Sequence, residues 1–584
     1  MRPGPGALIE VERGDVLEAV HVQSNGEVFA WTGPRAHRCH HPREPPGSDG
    51  RIPTSRPPGG AGTGTPGPPR SRTAAEVESS GLVEQLSGLD ASFLYLETPS
   101  LHMHVSMAAV LDPATVPGGY SYEKLRDLVG ARLALAPVFR RRLVEVPFRL
   151  GHPYWVNDES FDLDYHMHRA VLPAPGGLEE LGRFVGDVCS RQLDRSKPLW
   201  EMHVVEGLAG GKVAMVSKIH HSTIDGVSGA ELLAQLFDLE PDPPRPELPA
   251  TRDVADTMPS DLYLVARSLA TRVTAPIDVT RLAWRTGRSI LNVRHLRRTR
   301  PESKGALPLT TPRTSLNAAI TPHRSVVFCS TSLDEVKELK RAVSTTVNDI
   351  ILAVCTGALR NYLKERDELP EDPLVATVPV SVHPSTRHRR GANKVSAMFV
   401  SLPCGIDDPR ERVETIRSAT KGAKRQHNAL GADVLLNWAE HATPNVFSAA
   451  ARTYTRLRLA EHHRPIHSLI ISNVPGPDFP LYMAGAEIVA AFPLGPVMDG
   501  AGLNITVMSY RGVLNWGLVA CTESVPGLAS LAAAIPVALE ELRSAVGLTT
   551  PPAAPSTPRP RRTTGTRPRS AKALAASDAT AEAT

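Results

Sequence analysis

The sequence predicts an α/β (α+β) protein built from two lobes. Between Leu86 and Val546, apolar runs typical of strands alternate with runs at helical spacing. A Pro-bounded, arginine-rich stretch divides these runs into two blocks. At 584 residues the chain is also too long for one ordinary hydrophobic core. We therefore expect an N-terminal lobe at 83–240, a basic connector at 241–313 and a C-terminal lobe at 314–546.

Both ends of the chain have compositions that disfavour folding. The stretch from Arg43 to Arg70 is rich in Pro and Gly, and the tail at 547–584 combines Pro, Ala and Thr with scattered arginines. Such segments bury too little apolar surface to offset the entropy that ordering removes. We expect 1–82 to be disordered or, because the codon of Val83 can serve as a start, to be a gene-model extension. The basic tail is also expected to be disordered.

Composition narrows the classes of function. A net charge of +4 and a charged fraction of 22% are too weak to indicate a nucleic-acid partner. The six cysteines include no CxxC pair, and acidic and basic residues interrupt every apolar stretch near the N-terminus. No metal, bound cofactor or disulfide is expected, and the expected location is cytoplasmic. Two groups are interpreted as an unstructured arm and a solvated loop rather than as metal sites: His37, Cys39, His40 and His41, and His462, His463 and His467.

A strand predicted at Lys212–His221 ends in the strongest candidate site. The run is nearly continuously apolar, as in a buried strand, and it finishes with the pair His220-His221. Downstream, Ser228–Glu231 has the form of a helix capping box. Residues at a strand end lie at the edge of the sheet, where α/β proteins collect ligands.

His220, His221, Asp225 and Gly226 together form the catalytic hypothesis. A neutral imidazole at the sheet edge can take a proton from a hydroxyl near neutral pH, which suits a general base. Asp225 can hold the turn by accepting from backbone amides or by pairing with an arginine. Gly226 permits a positive φ or a close backbone approach. A histidine pair alone is more often structural, but the whole unit of strand, histidine pair, Asp-Gly and capped helix favours catalysis.

The second lobe offers a polar cluster at the start of a helix. The sequence predicts a strand-to-helix passage that runs through Asp349 into an apolar helix. Thr346 and Asp349 have capping-box spacing, so Asn348 and Asp349 are interpreted mainly as structural support. Further along, Leu503–Val507 and Val513–Val519 are predicted to pair across a turn.

The HHxxxDG element at His220–Gly226 stands in a fixed order with four further elements across nearly the whole predicted fold. These are Leu86–Phe93, Pro198–Glu201, Asn348-Asp349 and Ser472–Pro477. In these elements the chain resembles the bacterial wax ester synthase/diacylglycerol acyltransferases, within the superfamily of CoA-dependent acyltransferases. Such collinearity is more specific than any single motif.

The resemblance implies two chloramphenicol-acetyltransferase-like lobes with a tunnel between them. CoA would enter from one side and the acyl acceptor from the other. It also implies that His221 is the base, that His220 and Asp225 support it, and that Asn348 and Asp349 shape the site from the second lobe.

Three further segments are weaker candidates. Ser472 and Asn473 are expected either to hydrogen-bond the developing oxyanion or to form a turn with their own backbone. His383 stands where many relatives have arginine, so its loop supports no statement about CoA contacts. Within the connector, Arg281–Arg300 has seven arginines and no acidic residue. It fits an interfacial stretch on an anionic lipid surface or, alternatively, a packed helix with a solvated basic face.

The resemblance and the motif together predict an acyltransferase. It would move a long-chain acyl group from acyl-CoA, a co-substrate, to diacylglycerol or a long-chain alcohol, giving triacylglycerol or wax ester without a covalent intermediate. Such lipids imply peripheral association with a membrane or lipid droplets. Two alternatives are a condensation-domain-like enzyme that forms amides and a catalytically silent lipid-surface protein.

Overall fold

The computed structural model describes the chain in segments that form two compact units, Met1–Ser71 and Arg72–Thr584. The described residues are 8–13, 16–22, 28–32, 83–133, 136–223, 236–242, 260–299, 305–381, 395–430, 440 and 443–548. In the first unit, β1 (Leu8–Arg13), β2 (Val16–Val22) and β3 (Val28–Thr32) form an antiparallel meander. The disorder predicted for 1–82 and 547–584 concerns residues that lie outside the described ones, except for these three strands and residues 547–548.

The described residues of the second unit form two six-stranded sheets, one three-stranded sheet and the helices. Its strands are β4 (Glu84–Gln85), β5 (His104–Asp112), β6 (Arg141–Val144), β7 (Tyr154–Asn157), β8 (Met167–Val171), β9 (Trp200–Glu206), β10 (Val213–His220), β11 (Arg324–Ser332), β12 (Leu374–Ser381), β13 (Val395–Leu402), β14 (Leu469–Val474), β15 (Tyr482–Met483), β16 (Ala486–Leu494), β17 (Leu503–Tyr510) and β18 (Val513–Cys521). Its helices are α1 (Gly88–Leu96), α2 (Tyr122–Leu133), α3 (Leu163–His166), α4 (Leu178–Cys189), α5 (Asp261–Thr299), α6 (Leu333–Ala342), α7 (Val347–Lys364), α8 (Pro409–Leu430), α9 (Pro444–Arg456) and α10 (Leu528–Ala545). The mixed α and β class predicted from the sequence is confirmed.

The first six-stranded sheet has the order β15-β16-β5-β10-β9-β8. Its central strand β10 is buried at every position, as the apolar run predicted. β10 is antiparallel to both β5 and β9, and its last residue, His220, lies opposite His104 of β5. The strand therefore carries the histidine pair to one edge of this sheet.

The second six-stranded sheet has the order β11-β18-β17-β14-β12-β13. The predicted pairing of the last two strands is confirmed, since β17 and β18 are antiparallel and meet at a turn through Arg511 and Gly512, both with positive φ. The predicted strand-to-helix passage before α7 is wrong in one respect. Helix α6 stands between β11 and α7, because Ser332 caps a short amphipathic helix directly after the strand.

One strand pair from late in the chain belongs to the sheet of the first lobe. β16 pairs with β5 and β15 pairs with β16, although both strands lie in the range expected for the C-terminal lobe. The first sheet is therefore built from both lobe ranges, and the expected division at the connector does not separate two independent sheets.

Helix α4 holds the first lobe against the edge of the second sheet. A Cβ atom at Gly182 would lie 2.5 Å from the carbonyl oxygen of Val326, and one at Gly186 would lie 2.6 Å from that of Arg324. Only glycine allows the helix to approach the backbone of β11 this closely. The two glycines thus set the distance between α4 and the second sheet.

Helix α5 occupies 39 residues of the connector and contacts both lobes. Near its start, Leu264 is buried in a cluster with Val146 and Tyr154 of the first lobe. Near its end, Arg297 Nη1 donates to Gln426 Oε1 of α8 at 3.1 Å. In the part of the chain that the structure describes, no single helix is both long and apolar enough to cross a membrane. The bent pair α6 and α7 meets the length and composition test only when taken together.

Candidate active site

The histidine pair is held by backbone hydrogen bonds from both neighbouring strands. The N–H of His220 donates to the carbonyl oxygen of Leu199 at 2.9 Å, and the N–H of His221 donates to that of Met103 at 2.7 Å. His220 is fully buried, whereas His221 is only partly buried. The second imidazole is therefore the one with access to the surroundings of the sheet edge.

Helix α1 supplies a contact to each of the two imidazoles. It begins where the hydroxyl of Ser87 accepts from the N–H of Asp90 at 3.1 Å, an ordinary helix N-cap. The ring of Phe93 stacks on that of His221, with centroids 4.3 Å apart and an interplanar angle of 29°. Four residues later, Glu97 stands at the end of the helix beside His220. Residues four apart in a helix lie on one face, so one side of α1 covers the pair.

One oxygen of Glu97 is shared among three nitrogen atoms. Oε1 lies 3.3 Å from Nε2 of His220, 3.4 Å from Nε2 of His104 and 3.3 Å from the backbone nitrogen of Met103. The carboxylate is almost completely buried. It connects the end of α1, the start of β5 and the end of β10.

The second oxygen of Glu97 is occupied by an arginine. Arg195 approaches Oε2 with Nε at 3.1 Å and Nη2 at 2.7 Å, and Nη2 also donates to the carbonyl oxygen of Leu94 at 2.6 Å. Burial raises the pKa of Glu97, but the contacts with His104 and His220 outweigh it and hold the pKa far below its ordinary value. Glu97 is therefore a buried, ionised carboxylate with a cationic partner.

The hydrogen bonds of His220 fix its tautomer. The backbone N–H of Ser222 donates to Nδ1 at 3.0 Å, and the hydroxyl of Ser222 lies 2.7 Å from the same nitrogen. Since Nδ1 accepts, the proton of the neutral ring is on Nε2, which faces Glu97. This ring is buried, with one nitrogen facing Ser222 and the other facing Glu97.

The neighbouring imidazole of His104 is held neutral. Burial lowers the pKa of His104 to about 3, because desolvation disfavours the charged ring. The contact with Glu97 compensates only in part, and the charge of Lys218 lowers the pKa further. The positive charge beside Glu97 is therefore that of Arg195, while the neutral His104 stays in contact with Oε1.

The candidates from the second lobe lie in two places, at the start of α7 and in β14. At the start of α7, Asp349 caps the helix. Asp349 Oδ2 accepts from the hydroxyls of Thr345 at 2.8 Å and Thr346 at 2.7 Å, and Thr346 Oγ1 accepts in return from the N–H of Asp349. The predicted capping box is formed, and Asn348 is beside it at the helix start. Ser472 and Asn473 lie within β14, paired with β17, rather than in a turn.

Several predicted residues lie outside the described residues. They are Asp225, Gly226, the capping box at 228–231 and His383. Their implied roles remain predictions.

Among the described residues, one group has donor atoms close enough to hold a metal ion. Nitrogen and oxygen atoms of His168, Glu201 and His203 all lie within 4.8 Å of one another. Glu201 Oε1, however, already accepts from the buried ammonium of Lys218 at 2.8 Å. A metal cation at Glu201 would have to compete with that charge, so the group is better explained as the counter-charge of Lys218.

The prediction of a solvated histidine loop is wrong for one of its three members. His462 is exposed, and His463 Nε2 lies 2.7 Å from the hydroxyl of Tyr454. His467 is instead buried, and burial lowers its pKa to about 4. It lies two residues before β14, in which Leu469 and Ile471 belong to the core of the second lobe.

Comparison with known proteins places the site in a family. The profile of the wax ester synthase/diacylglycerol acyltransferase catalytic domain matches residues 86–351, and that of the WS/DGAT C-terminal domain matches residues 391–543. Over 463 residues the chain is 40% identical to a Mycobacterium tuberculosis (strain ATCC 25618 / H37Rv) protein provisionally named as a diacylglycerol O-acyltransferase, covering 79% of this chain and 90% of the relative. A similarly named Mycobacterium bovis protein is 33% identical over 470 residues, with coverages of 79% and 98%.

A solved structure supports the same assignment. The wax ester synthase/diacylglycerol acyltransferase from Marinobacter aquaeolei VT8 superposes with a TM-score of 0.57 at 28% identity, covering 80% of this chain and 100% of the other. The first profile covers the candidates from Phe93 to Asp349, and the second covers Ser472 and Asn473. The chain belongs to the wax ester synthase/diacylglycerol acyltransferase family of acyltransferases.

Proposed function

We propose that this acyltransferase moves a long-chain acyl group from acyl-CoA to the hydroxyl of diacylglycerol or of a long-chain alcohol, with His221 as general base. Its main support is the position of His221 at the end of β10. The ring is partly buried and stacked on Phe93, and it follows a neighbour that is tied to a buried carboxylate.

The reaction needs one proton acceptor and no covalent intermediate. His221 removes the hydroxyl proton as the oxygen attacks the thioester carbonyl, which gives a tetrahedral oxyanion. The carbon–sulfur bond then breaks, the ester is released, and the imidazolium of His221 returns its proton to the thiolate of CoA. The buried cysteines Cys355 and Cys404 are poor alternatives as nucleophiles, because burial raises the pKa of both thiols.

Glu97 acts in this scheme as a positioning residue. Its carboxylate orients the Nε2–H of His220 and also binds the N–H of Met103, whose carbonyl oxygen accepts from the N–H of His221. One carboxylate thus orients the ring of His220 and, through Met103, holds the backbone of His221. A base held in this way loses little entropy when substrate binds.

The remaining candidates have supporting roles. Asp225 and Gly226 would hold the turn after His221, and Asn348 and Asp349 would shape the site from the start of α7. Ser472 and Asn473, at the end of β14, would be donors to the oxyanion. The tunnel implied by the family would admit CoA and the acceptor from opposite sides. Because the acceptors are lipids, the enzyme would work at the surface of a membrane or lipid droplet.

A direct test compares His221→Ala with His462→Ala, which removes an exposed imidazole far along the chain. Full-length proteins are assayed with palmitoyl-CoA and either hexadecanol or dioleoylglycerol, following ester by thin-layer chromatography and CoA by thiol titration. Loss of the base should lower the rate by about 10²–10⁴-fold, and the control should match the wild type. A folded His221→Ala protein with full turnover would exclude His221 as the base.

The same assay separates the two alternatives. A catalytically silent protein would form no ester with either acceptor. A condensation-type enzyme would use carrier-bound acyl groups and amines in preference to acyl-CoA and alcohols. The measured ratio of wax ester formed from hexadecanol to triacylglycerol formed from dioleoylglycerol then assigns the preferred acceptor.

A further inference from the structure

We infer that the outward face of helix α5 is a docking surface for an anionic lipid layer. The face is defined by four side chains, and we refer to it as the α5 stripe. Its members, with their exposed fractions, are Leu262 (78%), Leu269 (50%), Trp284 (67%) and Leu291 (64%).

The four members of the α5 stripe lie on one face of the helix. Leu269, Trp284 and Leu291 follow Leu262 by intervals of about two, six and eight turns at 3.6 residues per turn. All four side chains therefore point in nearly the same direction, over a helix length of about 43 Å.

The packed face of the same helix lies opposite the stripe. Leu264, Leu282 and Val293 are each at most 6% exposed, and they are spaced by about five and eight turns. Leu264 is two residues, or roughly half a turn, from Leu262. Among the described residues, this buried face supplies apolar contacts between α5 and the protein, whereas each stripe side chain is at least half exposed.

Arginines flank the stripe in the second half of the helix. From Arg281 to Arg298 the sequence has six arginines and no acidic residue. The guanidinium of Arg288 lies over the ring of Trp284, 5.6 Å from its centroid. An exposed tryptophan among arginines and leucines is the composition of an interfacial helix, in which the apolar residues enter the acyl boundary and the cations meet anionic headgroups.

The geometry favours a lipid layer over a second protein chain. A helix–helix seam needs two apolar positions in each heptad, whereas no seven consecutive residues of α5 contain more than one member of the stripe. The predicted alternative, a packed helix with a solvated basic face, accounts for Leu264, Leu282 and Val293 but leaves the exposed leucines and Trp284 unexplained. Since α5 contacts both lobes, docking through it would fix the orientation of the whole enzyme on the lipid.

This docking surface rests on the proposed acyl transfer for its lipid substrates, and vesicle binding tests it independently of turnover. The full chain is mixed with vesicles of phosphatidylcholine, with or without phosphatidylserine, and floated on a density gradient. The stripe variant replaces four residues by serine: Leu262→Ser, Leu269→Ser, Trp284→Ser and Leu291→Ser. The control replaces four other exposed apolar residues: Val171→Ser, Leu457→Ser, Val489→Ser and Val537→Ser.

Wild type and control should float with the anionic vesicles, and the stripe variant should lose at least about tenfold in bound fraction. Arg281→Gln, Arg288→Gln and Arg294→Gln together should abolish the preference for anionic vesicles. Thermal unfolding shows that each variant is folded. Absence of wild-type flotation, or flotation that survives in the stripe variant, overturns the inference. So does a wild-type dimer that the stripe variant converts to monomer, because a second copy would then be the occupant.

Assays with soluble substrates distinguish a failure of the proposed acyl transfer from a failure of the proposed docking surface. With octanoyl-CoA and a short-chain alcohol, the stripe variant should retain wild-type activity, while its activity on dioleoylglycerol in vesicles falls. If the wild type binds vesicles but makes no ester, the acyl transfer fails and the docking surface stands.

Discussion

The ring of Phe93 lies 4.3 Å from the ring of His221, stacked at 29°, and joins the first helix of the N-terminal lobe to the proposed base. The stack covers a face of the imidazole and does not engage its nitrogen atoms, which lie at the ring edge. It therefore restrains the ring without competing for the proton that the reaction requires.

Phe93→Leu should lower kcat while leaving KM for both substrates nearly unchanged. Aromatic contacts of this kind are worth about 0.5–1.5 kcal/mol, so the expected loss is about 2–12-fold. A matched control is Phe161→Leu, because Phe161 stacks on His166, a histidine outside the site, with centroids 5.3 Å apart. Steady-state kinetics of both variants decide the point. Equal losses in kcat would assign the effect of Phe93 to packing alone.

Glu97→Gln should lower kcat by about 10–100-fold and the free energy of unfolding by about 1–3 kcal/mol, because His220 and Arg195 lose a charged partner. Glu97→Asp keeps the charge and should recover part of kcat. Full activity in Glu97→Gln would rule out positioning through this carboxylate.

The stability contributed by Glu97 should also depend on pH. The folded pKa lies below the ordinary carboxyl value of 4.5, so the contribution is complete above that value and is lost as the pH falls below it. The difference in unfolding free energy between wild type and Glu97→Gln should therefore be constant above about pH 5 and shrink in more acidic solution. Denaturant titrations at several pH values measure it. A difference that grows on acidification contradicts the assignment.

His467→Leu should make the protein less sensitive to acid. In the described residues neither ring nitrogen of His467 has a hydrogen-bond partner, and burial lowers its pKa from 6.5 to about 4. Between pH 6.5 and about pH 4 the unfolded chain binds a proton that the folded protein does not. As the pH falls through this range, the free energy of unfolding of the wild type therefore decreases by up to about 1.4 kcal/mol per pH unit. The variant lacks this slope and should keep wild-type turnover at pH 7.5. An unchanged pH dependence of unfolding, with exposed His462→Leu as reference, would show that His467 is not the group responsible.

Gly182→Ala should destabilise the protein by about 1–3 kcal/mol. The added Cβ would approach the carbonyl oxygen of Val326, so either α4 or β11 has to move. Gly287→Ala in α5 should instead stabilise the protein. Nothing lies within 4 Å of a new Cβ there, and alanine is the better helix former by about 1 kcal/mol. Thermal unfolding of the two variants measures both signs. A stable Gly182→Ala protein would mean that the contact between α4 and the second sheet is looser than described.

The features predicted from the sequence are those encoded by local patterns. The apolar run of β10, the capping box of Thr346 and Asp349, and the pairing of β17 with β18 each follow from residues close together in the chain. The position of His220 and His221 at a strand end followed from the same kind of pattern. Helix α6 was missed because a short amphipathic segment directly after a strand gives little signal of its own.

The contacts around the histidine pair could not be predicted in this way. Glu97 and Phe93 meet His220 and His221 across more than a hundred residues, and nothing in their spacing marks the contact. The family resemblance drew attention to Leu86–Phe93 but stopped short of Glu97. Burial of His467 was likewise invisible, since its neighbours His463 and Arg464 suggested a polar loop. These features depend on which strands become neighbours, and that is decided by the tertiary fold.

The pairing of β16 with β5 has a consequence for how the protein is made. Thr115, beside β5, donates to the carbonyl oxygen of Gly485, beside β16, across 370 positions of the chain. During synthesis the edge of β5 leaves the ribosome long before its partner exists, and an unpaired strand edge is a template for wrong pairing. An N-terminal fragment that stops at the connector should therefore aggregate when expressed alone and become soluble when the missing half is supplied in the same cell.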